Sequence, residues 1–516
     1  MAVARQTVRL LSMIVLTTLL GGFTVLLGQT QEENWKECAG KDPEQSLMAC
    51  SALIQSKRGT DLSRAKAFYD RGLAYARKPD YDRAIQDYDQ ALRLNPDFSD
   101  ALRQRAVALA HANDYEHAIH DYDQALRLNP TDAIALYDRG LAYAHKADFD
   151  HAIQDYDQAL RLNPNSSDSF YGRGLAHSHR GDYDRAIQDY DQALRLNPNI
   201  ADYFYGRGLA YSLKGDYGHG IQDYDQALRL DPNIAGYFYG RGSAYSHRGD
   251  YDHAIQDYDR ALHLNPNFAD SFYSRGLAYA RKGNYDRAIQ DYDQVLRIDR
   301  LYVDALYSRG RAYLHKGDYD HAIEDSSEAL RINPKHSDAL ILRGDAHIHK
   351  QDFGLAVQDF DLALQLNPDS ADAFYNRARA YQFTGQYDLA IPDYGQAIRL
   401  KPNDADAFFS RGLAYSSKGD DDRAIQDYDQ ALRINPSYAD AFGTRSRAYM
   451  HKGDYLRAMA DAERYHWLKS SALEDAIRLI LLVFSVAAAA GFMRKRFRKD
   501  TALGREPYTR IFNFGN

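Results

Sequence analysis

The feature that most constrains this chain is a short phrase that returns at a fixed interval of 34 residues. It first occurs as AIQDY at residues 84–88, and its first residue recurs at twelve positions, the last being 458, without any insertion. A fixed period of this length is typical of repeat architectures, in which each unit packs only against its neighbours. The repeats account for residues 65–471 of the 516.

Each repeat, numbered from position 1 at Ala65, is predicted to form two helices joined by a turn. Apolar or small residues at positions 4, 8 and 11 make one helical stripe, and those at 20, 21, 24, 27 and 28 make another. In the turn, Gly181 suits a left-handed helix end and Asp182 suits an N-cap. Proline at position 32, such as Pro198, stops the second helix. The predicted fold class is therefore all-α, with twelve helix-turn-helix repeats and flanking hydrophobic helices.

This pattern resembles the tetratricopeptide repeat (TPR) family. The resemblance rests on small residues at positions 8, 20 and 27, aromatic residues at 11 and 24, and proline at 32 in most of the twelve repeats. It implies a right-handed α-solenoid whose concave groove is lined mainly by the first helix of each repeat. Three repeats depart from the pattern at Arg300, Ser326 and Pro392. The whole arrangement is similar to exported bacterial TPR proteins.

The residues before the array predict an export signal followed by a capping segment. Arg5 and Arg9 precede an apolar run over residues 10–27, so residues 1–30 are interpreted as a cleaved signal peptide or an uncleaved signal-anchor. Residues 31–64 are predicted to cap the first repeat, with one helix over 43–56. Cys38 and Cys50 follow an export signal, which predicts a disulfide between them; two free buried thiols are the alternative.

The residues after Lys469 predict a membrane anchor. Ser471 and Glu474 form a capping box, and residues 479–493 are apolar on every side. Residues 472–493 would span roughly 33 Å as a helix, enough to cross a hydrocarbon core of about 30 Å. We predict a transmembrane helix over 472–493 and a basic cytoplasmic tail over 494–516; a helix that closes the array is the alternative.

The basic residues at the two ends predict the topology. Arg5 and Arg9 at one end, and the basic run from residue 494 at the other, both mark the cytoplasmic side of a membrane. The array between them is then placed outside the cytoplasm. In a bacterium this means a periplasmic array held in the inner membrane by a single C-terminal span.

Two charged positions recur without exception, arginine at position 7 and aspartate at position 23 of all twelve repeats. A residue duplicated twelve times is a poor indication of a single catalytic site, so we predict structural ion pairs between the two helices. The central examples are Arg139, Asp155, Arg173, Asp189, Arg207 and Asp223.

Position 5 is usually aromatic, and the family resemblance places it in the groove. Tyrosine there would offer a large contact area and a polar tip to a bound peptide, whereas ordinary helix packing is the alternative. The candidate groove residues are Tyr69, Tyr137, Tyr171, Tyr205, Tyr239, Tyr273, Tyr307, Tyr375 and Phe409. Aspartate is common at position 2, where it favours a helix N-terminus or lines the groove for a basic peptide.

Histidine occurs at position 13 of seven repeats, but no metal site is predicted. Equivalent residues of successive repeats lie roughly 10 Å or more apart, whereas zinc needs ligand nitrogens at about 2 Å. The sequence contains no phosphate loop, zinc-protease motif or nucleophile elbow. The net charge of −8 argues against a nucleic-acid partner.

The predicted function is a non-enzymatic scaffold that binds protein or peptide partners and is held to the membrane by its C-terminal helix. No catalytic residue, cofactor or small-molecule substrate is predicted, because the residues left over beyond the array are too few to hold an enzyme. Two alternatives stay open. One is a structural spacer or self-assembling element, and the other is a recognition subunit of an envelope enzyme or secretion complex.

Overall fold

The computed structural model describes residues 31–56 and 59–469. Within these ranges the chain is helical apart from its turns and contains no strand, so the all-α prediction is confirmed. The predicted export segment (1–30), transmembrane helix (472–493) and basic tail (494–516) lie outside the described residues. No helix within the described ranges combines the length and the apolar character needed to cross a membrane.

Two helices precede the repeats, α1 (Gln31–Cys38) and α2 (Pro43–Gln55). The start of α2 is set by Asp42, whose carboxylate accepts hydrogen bonds from the two N–H groups of Glu44 and Gln45. α1 was not predicted, because its polar sequence carries no apolar stripe of helical period. A disulfide joins Cys38 at the end of α1 to Cys50 in α2, and both residues are buried.

The first helix of each repeat is called its A helix. All but two are thirteen residues long; the first begins four residues before the predicted start, where Thr60 caps it. The A helices are α3 (Asp61–Arg77), α5 (Ser99–His111), α7 (Ala133–His145), α9 (Ser167–His179), α11 (Ala201–Leu213), α13 (Ala235–His247), α15 (Ala269–Arg281), α17 (Val303–Lys316), α19 (Ser337–His349), α21 (Ala371–Phe383), α23 (Ala405–Ser417) and α25 (Ala439–His451).

The second helix of each repeat is called its B helix. Each is fourteen residues long except the last, which has fifteen. The B helices are α4 (Tyr81–Leu94), α6 (Tyr115–Leu128), α8 (Phe149–Leu162), α10 (Tyr183–Leu196), α12 (Tyr217–Leu230), α14 (Tyr251–Leu264), α16 (Tyr285–Ile298), α18 (Tyr319–Ile332), α20 (Phe353–Leu366), α22 (Tyr387–Leu400), α24 (Asp421–Ile434) and α26 (Tyr455–Lys469). Pro392 lies inside α22, and the helix continues through it.

The turn between the two helices has the predicted chemistry. Gly181 has a φ of +79°, a left-handed conformation that side-chain-bearing residues rarely adopt. The Asp182 carboxylate accepts a hydrogen bond from the N–H of Arg185 and so caps α10. Both expectations for this turn are confirmed.

The described helices fall into two units, which divide between residues 278 and 279. Within each unit, every hairpin stacks on the next, and A helices of adjoining repeats contact each other. B helices of adjoining repeats make no such contact over the described part of the chain. Each unit therefore has an A-helix face and a B-helix face.

The core of each stack is built around the aromatic ring at position 24. The Tyr156 ring is fully buried between Gly140 of its own repeat and Gly172 of the next. A Cβ atom added at either glycine would lie 2.9 Å from this ring, closer than real contacts allow. The small residue at position 8 is thus what lets the two helices of a repeat approach around a tyrosine.

Candidate interaction surface

The recurring arginine and aspartate form bidentate ion pairs between the A and B helices of one repeat. Arg139 donates from Nε and Nη2 to the two carboxylate oxygens of Asp155, at 2.8 and 2.6 Å. The same geometry joins Arg173 to Asp189 and Arg207 to Asp223. These aspartates are buried, and the hydrogen bonds that Arg207 donates to Asp223 raise the pKa of Arg207 above its ordinary value. Bidentate hydrogen bonds of this kind tie the A helix of a repeat to its B helix.

In nine repeats a second carboxylate, which the sequence reasoning missed, extends the pair into the preceding repeat. The free Nη1 of Arg139 donates to Asp123 at 2.6 Å, and that of Arg207 donates to Asp191 at 2.5 Å. Both acceptors lie at position 25, which is aspartate in nine of the twelve repeats. That internal recurrence was the available signal. An arginine with this second partner therefore links three helices, the two of its own repeat and the B helix of the repeat before it.

The aromatic residues at position 5 pack inside the array while keeping one edge at its A-helix face. Tyr171 lies 5.7 Å from the buried Tyr190 of its own repeat and 4.9 Å from Tyr203 of the next, between ring centroids. The ring is half-buried, and burial raises its pKa. Tyr137, Tyr205, Tyr239, Tyr375 and Phe409 make the same contact with the position-24 ring of their repeats.

Two pockets open on the A-helix face, one in each unit. The first, of about 250 Å³, lies between the fifth and sixth repeats, and its lining includes Tyr205, Tyr239, Leu209 and His247. The second, of about 530 Å³, lies between the eleventh and twelfth repeats and is lined by Phe409, Leu413, Asp440, Gly443, Thr444, Ser446, Arg447, Ala462 and Tyr465. Position-5 rings thus contribute both to packing and to the accessible surface.

The second pocket exists because the twelfth repeat departs from the pattern. Gly443 stands at position 5, where most repeats carry an aromatic residue, and Ala462 stands at position 24. Tyr465 approaches from the B helix, so that a Cβ atom added at Gly443 would lie 3.0 Å from its ring. The walls combine apolar rings with Arg447 and Asp440, which suits an apolar side chain next to a charged one.

The aspartates at position 2 bond within the chain. Asp168 accepts a hydrogen bond from the Tyr203 hydroxyl at 2.7 Å, and Asp406 accepts one from the Tyr438 hydroxyl at 2.6 Å. The first bond crosses from the fourth repeat to the fifth, and the second reaches Tyr438, the residue that precedes the A helix of the twelfth repeat. These carboxylates therefore tie A helices together in addition to stabilising the helix N-termini.

The histidines at position 13 are exposed, and six of the seven stack on the position-17 ring of the preceding repeat. His111 lies 4.6 Å from the Tyr81 ring, and His349 lies 4.7 Å from the Tyr319 ring. Among the residues that the structure describes, no cluster of histidine, cysteine or acidic side chains could hold a metal ion. The stacks make a ribbon of flat rings beside the A-helix face rather than a ligand set.

Comparison with known families decides which family this repeat belongs to. Models described as tetratricopeptide repeat match residues 112–167, 273–333, 307–371, 375–439 and 422–466, and also 65–98, 167–200 and 201–234. A further model, described as TPR repeat, matches residues 242–283. The chain belongs to the tetratricopeptide repeat family. No relative is found among curated proteins.

The TPR array is also similar to solved structures. One titled as MamA is 31% identical, with a TM-score of 0.30, covering 31% of this chain and 95% of that one. One titled as YrrB, a TPR protein with an unusual peptide-binding site, is 27% identical with a TM-score of 0.32, covering 36% and 95%. Yeast Tom70 is 17% identical with a TM-score of 0.36, covering 81% and 99%.

Proposed function

We propose that this TPR protein is a non-enzymatic scaffold that binds peptide or protein partners along its A-helix face. The observation that carries the proposal is the pairing of position-5 rings with position-9 leucines in a pocket on that face, as with Tyr205 and Leu209. A half-buried ring already held by its neighbours presents an apolar edge without losing further side-chain freedom on binding. Such pre-organised aromatic surface is what peptide recognition favours.

The proposal places the array in the periplasm, anchored in a bacterial inner membrane by residues 472–493. Two features support this placement, the basic residues at both chain ends and the Cys38–Cys50 disulfide. Disulfides persist in oxidising compartments and are rare in the cytosol. A reporter that is active only outside the cytoplasm, inserted after Lys469, is expected to be active, and the same reporter after Asn516 inactive. The reverse pattern would contradict the topology.

Photocrosslinking from a single position tests the binding face. A photoreactive residue at Ser243, which lines the pocket between repeats five and six, is expected to give partner adducts in intact cells. The matched control is the same residue at Gln222, exposed on the B helix of the fifth repeat. Adducts at Gln222 as abundant as those at Ser243 would show that the A-helix face is not the binding surface.

Substitution at position 9 provides a second test that spares the fold. Leu175→Ser combined with Leu209→Ser removes apolar contact area from the A-helix face, and serine is tolerated there, as Ser243 shows. We expect captured partners to fall at least tenfold while helicity is unchanged, since apolar anchors dominate such interfaces. Arg185→Ser on a B helix is the control. Unchanged capture in the double variant would contradict the proposal.

A further inference from the structure

The pocket between the eleventh and twelfth repeats carries an arginine that no other group of the described chain neutralises. Position 9, on the A-helix face, is leucine in six repeats and arginine in three, as Arg311, Arg379 and Arg447. The Cζ atom of Arg311 lies 5.7 Å from the centroid of the Tyr307 ring, and Arg379 pairs with Asp345 at 3.2 Å. Arg447 lines the pocket, is exposed, and has neither kind of partner within the described residues.

The other charge of this pocket and its two small hydroxyls are bonded within the chain. The Asp440 carboxylate lies 3.1 Å from the Nζ atom of Lys469. The Thr444 hydroxyl donates to the backbone carbonyl of Asp440 at 2.9 Å, and the Ser446 hydroxyl donates to a backbone carbonyl of α26 at 2.7 Å. Over the described part of the chain, Arg447 therefore supplies the uncompensated charge of the pocket.

The apolar part of the wall is held in place by its own neighbours. The Phe409 ring lies 5.9 Å from the buried Tyr428 ring and 4.9 Å from the Tyr438 ring, between centroids. Leu413 of the same helix and Tyr465 of α26 complete this part of the wall. The volume of about 530 Å³ falls within the range of about 300–1,000 Å³ that is usual for ligand pockets. A large apolar side chain can therefore enter without the wall first having to become ordered.

We propose that this pocket takes a large apolar side chain from a partner segment in which acidic residues flank that side chain. The apolar group lies against Phe409 and Leu413, and a flanking carboxylate bonds to the guanidinium of Arg447. Arginine suits this role because its planar set of N–H donors matches the two oxygens of a carboxylate. The inference rests on the proposed function, since the partner segment lies along the A-helix face.

The charge of the whole chain opposes this preference, and so makes it a specific signal. A net charge of −8 attracts basic peptides without regard to where on the array they bind. A preference for an acidic peptide therefore has to come from a local cation. Among the described residues that line the pocket between the fifth and sixth repeats, none is arginine or lysine. An apolar side chain bound there would gain nothing from acidic neighbours, so the two pockets select different partner segments.

Four fluorescent peptides test the pocket by their binding to the purified full-length chain. Each peptide has glycine and serine around a centre of Glu-Phe-Glu, Gln-Phe-Gln, Lys-Phe-Lys or Glu-Ser-Glu, and fluorescence anisotropy gives its Kd. We expect Glu-Phe-Glu to bind roughly threefold more tightly than Gln-Phe-Gln and roughly tenfold more tightly than Lys-Phe-Lys. It should bind at least about tenfold more tightly than Glu-Ser-Glu, because the apolar anchor dominates. Equal binding of Glu-Phe-Glu and Lys-Phe-Lys, or no binding of any peptide up to about 1 mM, overturns the proposal.

Substitution of Arg447 assigns the preference to this pocket. Arg447→Glu should reverse the order, so that Lys-Phe-Lys binds more tightly than Glu-Phe-Glu. Arg447→Leu installs the leucine of six other repeats and should make Glu-Phe-Glu and Gln-Phe-Gln bind alike. Arg433→Glu makes the same change of charge at an exposed position of α24 and is the matched control, expected to keep the wild-type order. An unchanged order in Arg447→Glu, or the same reversal in Arg433→Glu, overturns the proposal.

The failure of this inference differs from a failure of the proposed function. Leu175→Ser combined with Leu209→Ser leaves every residue of this pocket in place and should keep the peptide order. An unchanged order in Arg447→Glu, with partner capture lost in the leucine variant, rejects the acidic segment and keeps the scaffold. Unchanged capture in the leucine variant, with a reversed order in Arg447→Glu, contradicts the role of those leucines and supports the pocket.

Photocrosslinking identifies what occupies the pocket. A photoreactive residue in place of Leu413 in the full-length chain is expected to label the Glu-Phe-Glu peptide, and an excess of unlabelled peptide should suppress this adduct. Adducts to residues 470–516 of the same chain alone would overturn the proposal, because the pocket would then be filled by the protein itself.

Discussion

Asp223→Asn and Asp191→Asn make a matched pair, because both carboxylates bond to the same guanidinium. Asp223 accepts two hydrogen bonds from Arg207, at 2.7 and 2.8 Å, and its side chain is 7% exposed. Asp191 accepts one at 2.5 Å, and its side chain is 39% exposed. The residue type and the partner are the same, so the two substitutions differ in the burial of the carboxylate and in the number of hydrogen bonds it accepts.

Burial sets the expected magnitudes. Removing one partner of a buried ion pair costs roughly 3–5 kcal/mol, because the other charge is left uncompensated. Arg207 is itself 21% exposed and keeps its bond to Asp191, which lowers the cost of Asp223→Asn to about 2–3 kcal/mol. An exposed pair is worth about 0–1 kcal/mol, so Asp191→Asn should cost less than about 1 kcal/mol.

Hydrogen exchange read by mass spectrometry measures these costs where they arise. A repeat array opens locally, so a global melt would blur the effect of one repeat. Peptides from α11 and α12 should exchange roughly 30- to 150-fold faster in Asp223→Asn, but less than about fivefold faster in Asp191→Asn. Peptides from α3 and α4 should not change in either variant. Equal acceleration by the two substitutions would refute the reasoning that burial governs the ladder.

Three further substitutions test other parts of the array. Tyr156→Phe should leave the free energy of unfolding equal or slightly higher, because the buried Tyr156 hydroxyl has no hydrogen-bond partner in the described chain. Tyr394→Phe should lower it by about 1 kcal/mol, because the Tyr394 hydroxyl donates a 2.7 Å hydrogen bond to the A helix of its own repeat. Urea melts of the two variants measure both effects. Gly395→Asp should stabilise the eleventh repeat by about 1 kcal/mol relative to Gly395→Asn, because it restores the second carboxylate that Arg411 lacks. Burial raises the pKa of Asp138 from 3.8 to about 6. The folded array is therefore most stable while this carboxyl is protonated, and its free energy of unfolding falls as the pH rises from about 4 through 6. Asp138→Asn should therefore gain roughly 1–3 kcal/mol at pH 7.5 and nothing at pH 4, which thermal melts at the two pH values would check.

Periodicity predicted the helices and their order because it reports a physical requirement, the burial of one stripe per helix. Gly181 and Asp182 were read correctly for the same reason, since their roles are local in sequence. α1 escaped prediction because it is held by the disulfide and by packing on α2, neither of which leaves an apolar period in its sequence. The described residues leave the predicted membrane segments untested.

The interaction surface could be predicted only in part. Arg207 and Asp223 were identified because both positions are invariant between repeats, whereas Asp191 belongs to a position with exceptions and looked like ordinary surface. Tyr171 and its equivalents could not be assigned to packing or to the groove from sequence, because the structure gives one ring both roles. A half-buried ring fits both interpretations, and both roles become visible only once the contacts of the ring are known.

Uniform repeats raise the question of how such an array distinguishes one partner from another. Where neighbouring repeats are alike, a bound peptide could shift along the array by one repeat without a change in binding free energy. The repeats that differ therefore have to determine where along the array a partner binds. Position 9 supplies one such difference, because leucine in the third to fifth repeats gives way to Arg311, Asp345 and Arg379, the last two 3.2 Å apart. A partner with an apolar stretch would bind more tightly at the leucines. It would bind less tightly at the charged residues of the eighth to tenth repeats, where its apolar groups would displace water from paired ions. Specificity in this array is therefore expected to reside in its exceptions, while the ion-pair ladder that all repeats share holds them at a constant spacing.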